Sequence, residues 1–281
     1  MLEAKASKTA AFMAAYRARA TAEEPAYCSD PWAKHFSGED GEALATRYDA
    51  VYAHMQLWTA VRTWWIDARL INALGAPWNL VQVVLLGAGF DTRAARLARE
   101  GVRYFEVDHP DTQREKLARI AALADYPKDA ARHVHCDFER EDFLDRLCAE
   151  GFELGRPALF IWEGVTPYLT EAAVRATLRR IAEGTHEASV VLFDHLRKKI
   201  VQGDVNDERD KQSNEFVASL GEPLRWGSDD VLPLLVSEGF RRVRTTSFDE
   251  ACLELTGTYD RERKFRFQNL AIASRAREDL P

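Results

Sequence analysis

One stretch constrains this chain more than any other. VVLLGAGFDTRAARLA, starting at Val83, is an apolar run that breaks at Gly87-Ala88-Gly89 and passes straight into a helical pattern. A strand that is apolar at every position is buried on both faces, as in a parallel sheet covered by helices. The glycines permit a tight turn and a close approach of ligand to backbone, and the helix behind them offers unpaired N–H groups that Asp91 or Thr92 can cap. The third glycine of the dinucleotide fingerprint is missing, because Thr92 stands there, and this argues against a dinucleotide.

Downstream of this turn, short β-branched runs alternate with helical stretches, the pattern of βαβ units around a parallel sheet. The candidate strands are VQVVLLG, VRYFEVD, RHVHCD, PALFIWE, SVVLFDH, FRRVRTTSF and FRFQNLAIAS. Helices are expected over 91–100, 110–123, 139–149, 170–183 and 229–238. Upstream the periodicity is purely helical: one helix over 5–20, a turn at Asp30-Pro31, then one long or two consecutive amphipathic helices over 42–74. We therefore expect a helical N-terminal segment at 1–74 and an α/β domain at 75–281. The polar segment 196–228 reads either as a substrate-facing insertion or as an irregular connection.

Composition removes several function classes. With 38 basic against 45 acidic side chains the net charge is −7, so no global field draws the chain to nucleic acid or anionic lipid. Four cysteines with no CxxC spacing argue against a disulfide scaffold or a zinc site, and no metal is expected. No window holds eighteen consecutive apolar residues, and the N-terminus is charged throughout, so the expectation is a cytoplasmic protein with no membrane partner.

The strand ends carry acids. Asp108, nineteen residues after Gly89, closes a strand where a carboxylate can accept from both hydroxyls of a ribose; the alternative is a helix cap before Pro110. Glu106 lies two residues earlier and, by alternation, on the same side. Asp137-Phe138 would set an acceptor and an aromatic face beside a purine, or Asp137 is an N-cap. Glu163 ends the next strand, with Gly164 leaving room above it.

Taken in order, AAYRARAT, DPWAKHF, VRTWWID, LGAGFDTRAARL, YFEVDHPDTQREK, CDFER and EGVTPYL resemble the class I methyltransferases that use S-adenosylmethionine, specifically the leucine carboxyl methyltransferase-like branch. The resemblance covers most of the chain. It implies a Rossmann-like, mostly parallel sheet with an antiparallel C-terminal strand, a helical N-terminal lid, and S-adenosyl-L-methionine as cofactor. It further implies that Gly87 and Gly89 line the cofactor's methionine and ribose, that Asp108 binds the ribose, and that Asp137 and Phe138 frame the adenine. Arg62 would pair with the cofactor carboxylate, assisted by Arg17; Glu163 would sit near its amino group, and Tyr168 near the methyl and the acceptor. Read without the resemblance, the alternatives are a solvated helix charge or a structural ion pair for Arg62, a core aromatic for Tyr168, and packing for Trp58, Trp64 and Trp65, of which one indole can face the sulfonium.

The expected activity is O-methyl transfer to a small molecule, in the first instance a carboxylic acid. A carboxylate is already ionised and needs no base, whereas a hydroxyl needs one, for which His54, His109 and His195 are the candidates. The rival readings are methylation of a protein carboxyl terminus or a hydroxyl, a nicotinamide-dependent oxidoreductase, and a nucleoside-binding protein without catalysis.

Overall fold

The structure, a computed structural model, describes residues 7–138, 140–202, 208–258, 268–276 and 279–281. Helices α1 (Lys8–Thr21), α2 (Ala33–Asp49) and α3 (Met55–Leu74) precede the sheet. The alternating part runs β1 (Gln82–Leu86), α4 (Arg93–Arg96), β2 (Arg103–Asp108), α5 (Pro110–Ala121), β3 (Arg132–His135), α6 (Phe143–Ala149) and β4 (Leu159–Trp162). It continues through a 3₁₀ turn (Thr166–Tyr168), α7 (Glu171–Gly184), β5 (Val190–Leu196), α8 (Lys198–Val201) and α9 (Glu208–Ser219). The last elements are α10 (Leu232–Ser237), β6 (Arg242–Ser247), α11 (Phe248–Thr256) and β7 (Gln268–Ser274).

Seven strands form one sheet in the order β3-β2-β1-β4-β5-β7-β6. β1 to β5 are mutually parallel, while β7 runs antiparallel between β5 and β6. This is the Rossmann-like arrangement expected, including the antiparallel C-terminal strand. The chain winds outward from β1 to β3 and then returns to β4, so the strand order reverses between β1 and β4. Open α/β sheets bind ligands at such a switch point, outside the carboxyl ends of the strands. Gly87 follows β1 and Glu163 follows β4, so the topology alone brings both to one crevice.

The alternation along β1 explains its continuous apolar run. Val83 and Leu85 pack into a cluster with Trp58, Trp65 and Leu70 of α3, whereas Val84 and Leu86 face a second cluster containing Leu144, Leu178 and Leu235. Trp58 and Trp65 are fully buried, and Phe12 and Tyr16 of α1 join the same cluster. The N-terminal helices thus share the sheet's core. The helical zone expected over 42–74 divides into α2 and α3, and the helix expected over 91–100 is only one turn. Within segment 196–228 the described residues are mostly helical, in α8 and α9. No helix among the described residues is long and apolar enough to cross a membrane.

Candidate active site

The turn after β1 is held by backbone bonds: Gly87 and Ala88 both donate to the carbonyl of Val107 on β2, at 2.8 and 3.2 Å. Gly87 (φ 65°) and Gly89 (φ 48°) occupy the left-handed region that favours glycine. A Cβ on Gly87 would come within 2.5 Å of Val165 Cγ2, so the turn also packs against the segment after β4. Asp108 reaches back across it. One carboxylate oxygen accepts from the Gly89 N–H at 2.5 Å and the other from the His109 N–H at 2.7 Å. Burial pushes the Asp108 carboxyl above its ordinary range, and the two backbone donors only partly oppose this. The cap of α5 is His109, whose ring nitrogen accepts from Asp111 N–H, so Asp108 does not serve as the cap.

Beneath the crevice lies a buried ion network. Arg62 of α3 bridges two strand ends, with Nε 2.8 Å from Glu163 and Nη1 donating to Asp194 at 2.7 Å. Arg93 of α4 joins Glu163 to Asp67 and Asp91, and Arg96 holds the other side of Asp67 at 2.7 Å. The Gly164 N–H donates to Asp194 at 2.6 Å. Burial alone would raise Asp91 and Glu163, but the guanidinium groups outweigh it, taking Asp91 down to about 2 and Glu163 below its usual range. The connected network has three guanidiniums against four carboxylates, one negative charge in excess.

Arg62, Asp91, Glu163 and Asp194 of this network border a cavity of about 550 Å³. Arg17, Arg62, Gly87, Gly89 and Asp108 line it, as do Phe138, Glu163 and Tyr168. Asp137 is not among the lining residues; its carboxylate lies 3.5 Å from Arg140 Nε, and Asp142, not Asp137, caps α6. Arg62 is the structural ion pair of the alternative reading and faces the cavity as well. Arg17 donates to Asp30 at 2.9 Å and to the Phe90 carbonyl at 2.6 Å, tying α1 to the glycine turn. The Tyr168 hydroxyl makes no hydrogen bond to a described residue, and burial raises its pKa.

Glu106 is absent from the cavity because it is spent elsewhere: Lys116 Nζ lies 2.6 Å from its carboxylate and His133 3.2 Å. Of the candidate bases, only His109 lines the cavity, next to Asp108; His54 and His195 do not. His195 packs beside Trp226, and burial lowers its pKa. Sequence reasoning missed Arg93, Asp67 and Asp194. Asp194 lies near the carboxyl end of apolar β5, as Glu163 follows β4, a signal that was readable; Arg93 and Asp67 look like ordinary helix charges. Among the described residues no group of three His, Cys, Asp or Glu side chains is arranged to hold a metal.

Comparison with known proteins agrees with this geometry. A protein of Rhodococcus jostii named as an S-adenosyl-L-methionine-dependent methyltransferase is 30% identical over 271 residues, covering 90% of this chain and 87% of that protein. A protein of Mycobacteroides abscessus with the same kind of name is 27% identical over 223 residues, covering 75% of this chain and 74% of its own. In fold, the crystal structure of a DUF574 family protein from Streptomyces avermitilis superposes with a TM-score of 0.68 at 14% identity, covering 95% of this chain and 97% of that one. The family model for leucine carboxyl methyltransferase matches residues 10–182. The chain therefore belongs to the leucine carboxyl methyltransferase family of S-adenosylmethionine-dependent methyltransferases.

Proposed function

We propose that this protein transfers the methyl group of S-adenosylmethionine to a carboxylate oxygen of a small-molecule acid. What supports the choice of nucleophile is the match of residues 10–182 to the leucine carboxyl methyltransferase model. A carboxylate attacks without a base, whereas a hydroxyl needs one within hydrogen-bond reach.

The residues present fit the cofactor. An excess negative charge in the network complements a ligand that brings an ammonium and a sulfonium against one carboxylate. When bound, S-adenosylmethionine supplies an electrophilic methyl on a sulfur that leaves as a neutral thioether. Asp108 accepts from the ribose hydroxyls through lone pairs its two backbone bonds leave over, Gly87 and Gly89 let the backbone approach, and Phe138 offers a face to the adenine. Arg62 Nη2 and Arg17 Nη1 form no hydrogen bond to described residues and remain for the cofactor carboxylate, while Glu163 balances the ammonium. Tyr168 orients the acceptor.

An acceptor carboxylate is already ionised, so no residue of this chain would have to take a proton from it. The chain's contribution is alignment and exclusion of water. Residues 1–74 act as the cap over this crevice, and α9 within 196–228 forms part of its wall; a cavity of this volume suits a small acceptor.

Calorimetric titration with S-adenosylmethionine, S-adenosylhomocysteine and NAD tests the cofactor. Transfer of radiolabelled methyl to a panel of carboxylic acids, with the label released as methanol by alkali, tests the nucleophile. Binding of NAD alone would overturn the first reading, and alkali-stable product the second.

A further inference from the structure

One wall of the cavity carries a run of hydrogen-bond acceptors. Helix α9 lines it with Asp210, Ser213, Asn214 and Val217, a single stripe at i, i+3, i+4 and i+7. Asn214 donates its Nδ2 to the Ile200 carbonyl at 2.7 Å, which fixes the amide, and its Oδ1 is buried with no partner among the described residues. Asp210 has no ion pair or hydrogen bond among the described residues, and burial alone raises its carboxyl. The Ser213 hydroxyl is taken up by Tyr48 at 2.5 Å, and Glu222 accepts from Thr9 at the α1 side. No uncommitted cation faces these groups from the other walls among the described residues. Arg62 and Arg17 are bound to carboxylates, and His109 caps α5 beside Asp108.

A wall whose carboxylate and amide oxygen find no partner among the described residues is completed by a donor that carries positive charge. Leaving a buried acceptor unsatisfied costs its desolvation, while a charged donor repays it for both groups at once. We propose, resting on the methyl-transfer reading above, that the acceptor molecule bears a protonated amine which Asp210 and Asn214 of α9 bind, remote from the oxygen that is methylated. The acceptor class is thus an amino-bearing acid rather than a simple anion. The ammonium meets the acidic wall, so the carboxylate is turned away from Asp210 and Glu222, which would repel it.

The test uses the full chain saturated with S-adenosylhomocysteine and ligand-observed NMR at millimolar probe concentration. The probes are matched small aromatics: 4-(aminomethyl)benzoate, 4-(hydroxymethyl)benzoate and 4-methylbenzoate. The aminomethyl probe is expected to bind about tenfold or more tightly than the methyl probe, the span of a charge-assisted hydrogen bond. Asp210→Asn should abolish that preference while leaving S-adenosylhomocysteine affinity unchanged, which also reports that the variant is folded. Asn214→Leu should reduce it. Equal binding of the three probes, preference for the uncharged ones, no binding of the amine, or a preference that survives Asp210→Asn would each overturn the assignment. Failure of wild-type protein to bind S-adenosylhomocysteine would instead overturn the cofactor reading.

Discussion

Arg62 and Asp194 meet across 132 residues of sequence, Nη1 to Oδ2 at 2.7 Å, both almost wholly removed from solvent. The pair joins α3 to the end of β5, and Glu163 on the same guanidinium adds the end of β4. Removing one member of such a cluster strands the other charges in a dry site. Arg62→Ala should therefore cost about 3–5 kcal/mol in urea unfolding, and Asp194→Asn added to it should recover part of the loss. A cost below 1 kcal/mol would mean that water reaches the carboxylates.

Asp108→Ala removes the carboxylate that bridges Gly89 and His109 and is assigned to the ribose. Cofactor affinity should fall by about 1–3 kcal/mol, read by calorimetry on protein with unchanged circular dichroism. Unchanged affinity rejects the ribose assignment.

Gly87→Ala forces a side chain into a positive-φ position and against Val165. Stability should drop by about 1–3 kcal/mol and cofactor binding should weaken, with Val165→Ala restoring part of the stability but not the backbone strain. The double variant separates the steric effect from the conformational one.

Tyr168→Phe deletes a hydroxyl that lines the cavity without a hydrogen bond to described residues. Turnover should fall roughly tenfold, the worth of about one hydrogen bond, while S-adenosylhomocysteine affinity holds. Identical kinetics would make Tyr168 a packing residue.

Asp91 titrates at about 2 in the fold against an ordinary 3.8. Because its folded value is depressed, its contribution is complete above pH 4 and is lost as pH falls towards 2, about 2 kcal/mol in all. Urea unfolding at pH 5, 4, 3 and 2 should show a shallower loss for Asp91→Asn than for wild type. Parallel curves would contradict the pairing with Arg93.

The sequence by itself determined the sheet and the acidic strand ends, because both are local. The apolar run of β1 demands two covered faces, Gly87 and Gly89 demand a special turn, and Asp108 and Glu163 fall at the ends of strands whatever the rest of the chain does. Only the tertiary structure decided how those acids are used. Glu106 and Asp108 look alike two residues apart, yet Lys116, arriving on α5, neutralises the first and leaves the second to the cavity. Arg62 was legible as a functional cation but not as one held by two carboxylates, since Glu163 and Asp194 reach it through pairings of β4 with β5 that no local pattern encodes. The segment 196–228 read either as a substrate-facing insertion or as an irregular connection, and only the docking of α9 beside α2 turns Asp210 and Asn214 inward. Periodicity fixes which residues share a face; the long-range contacts, whose energy depends on what is buried opposite, choose the partner.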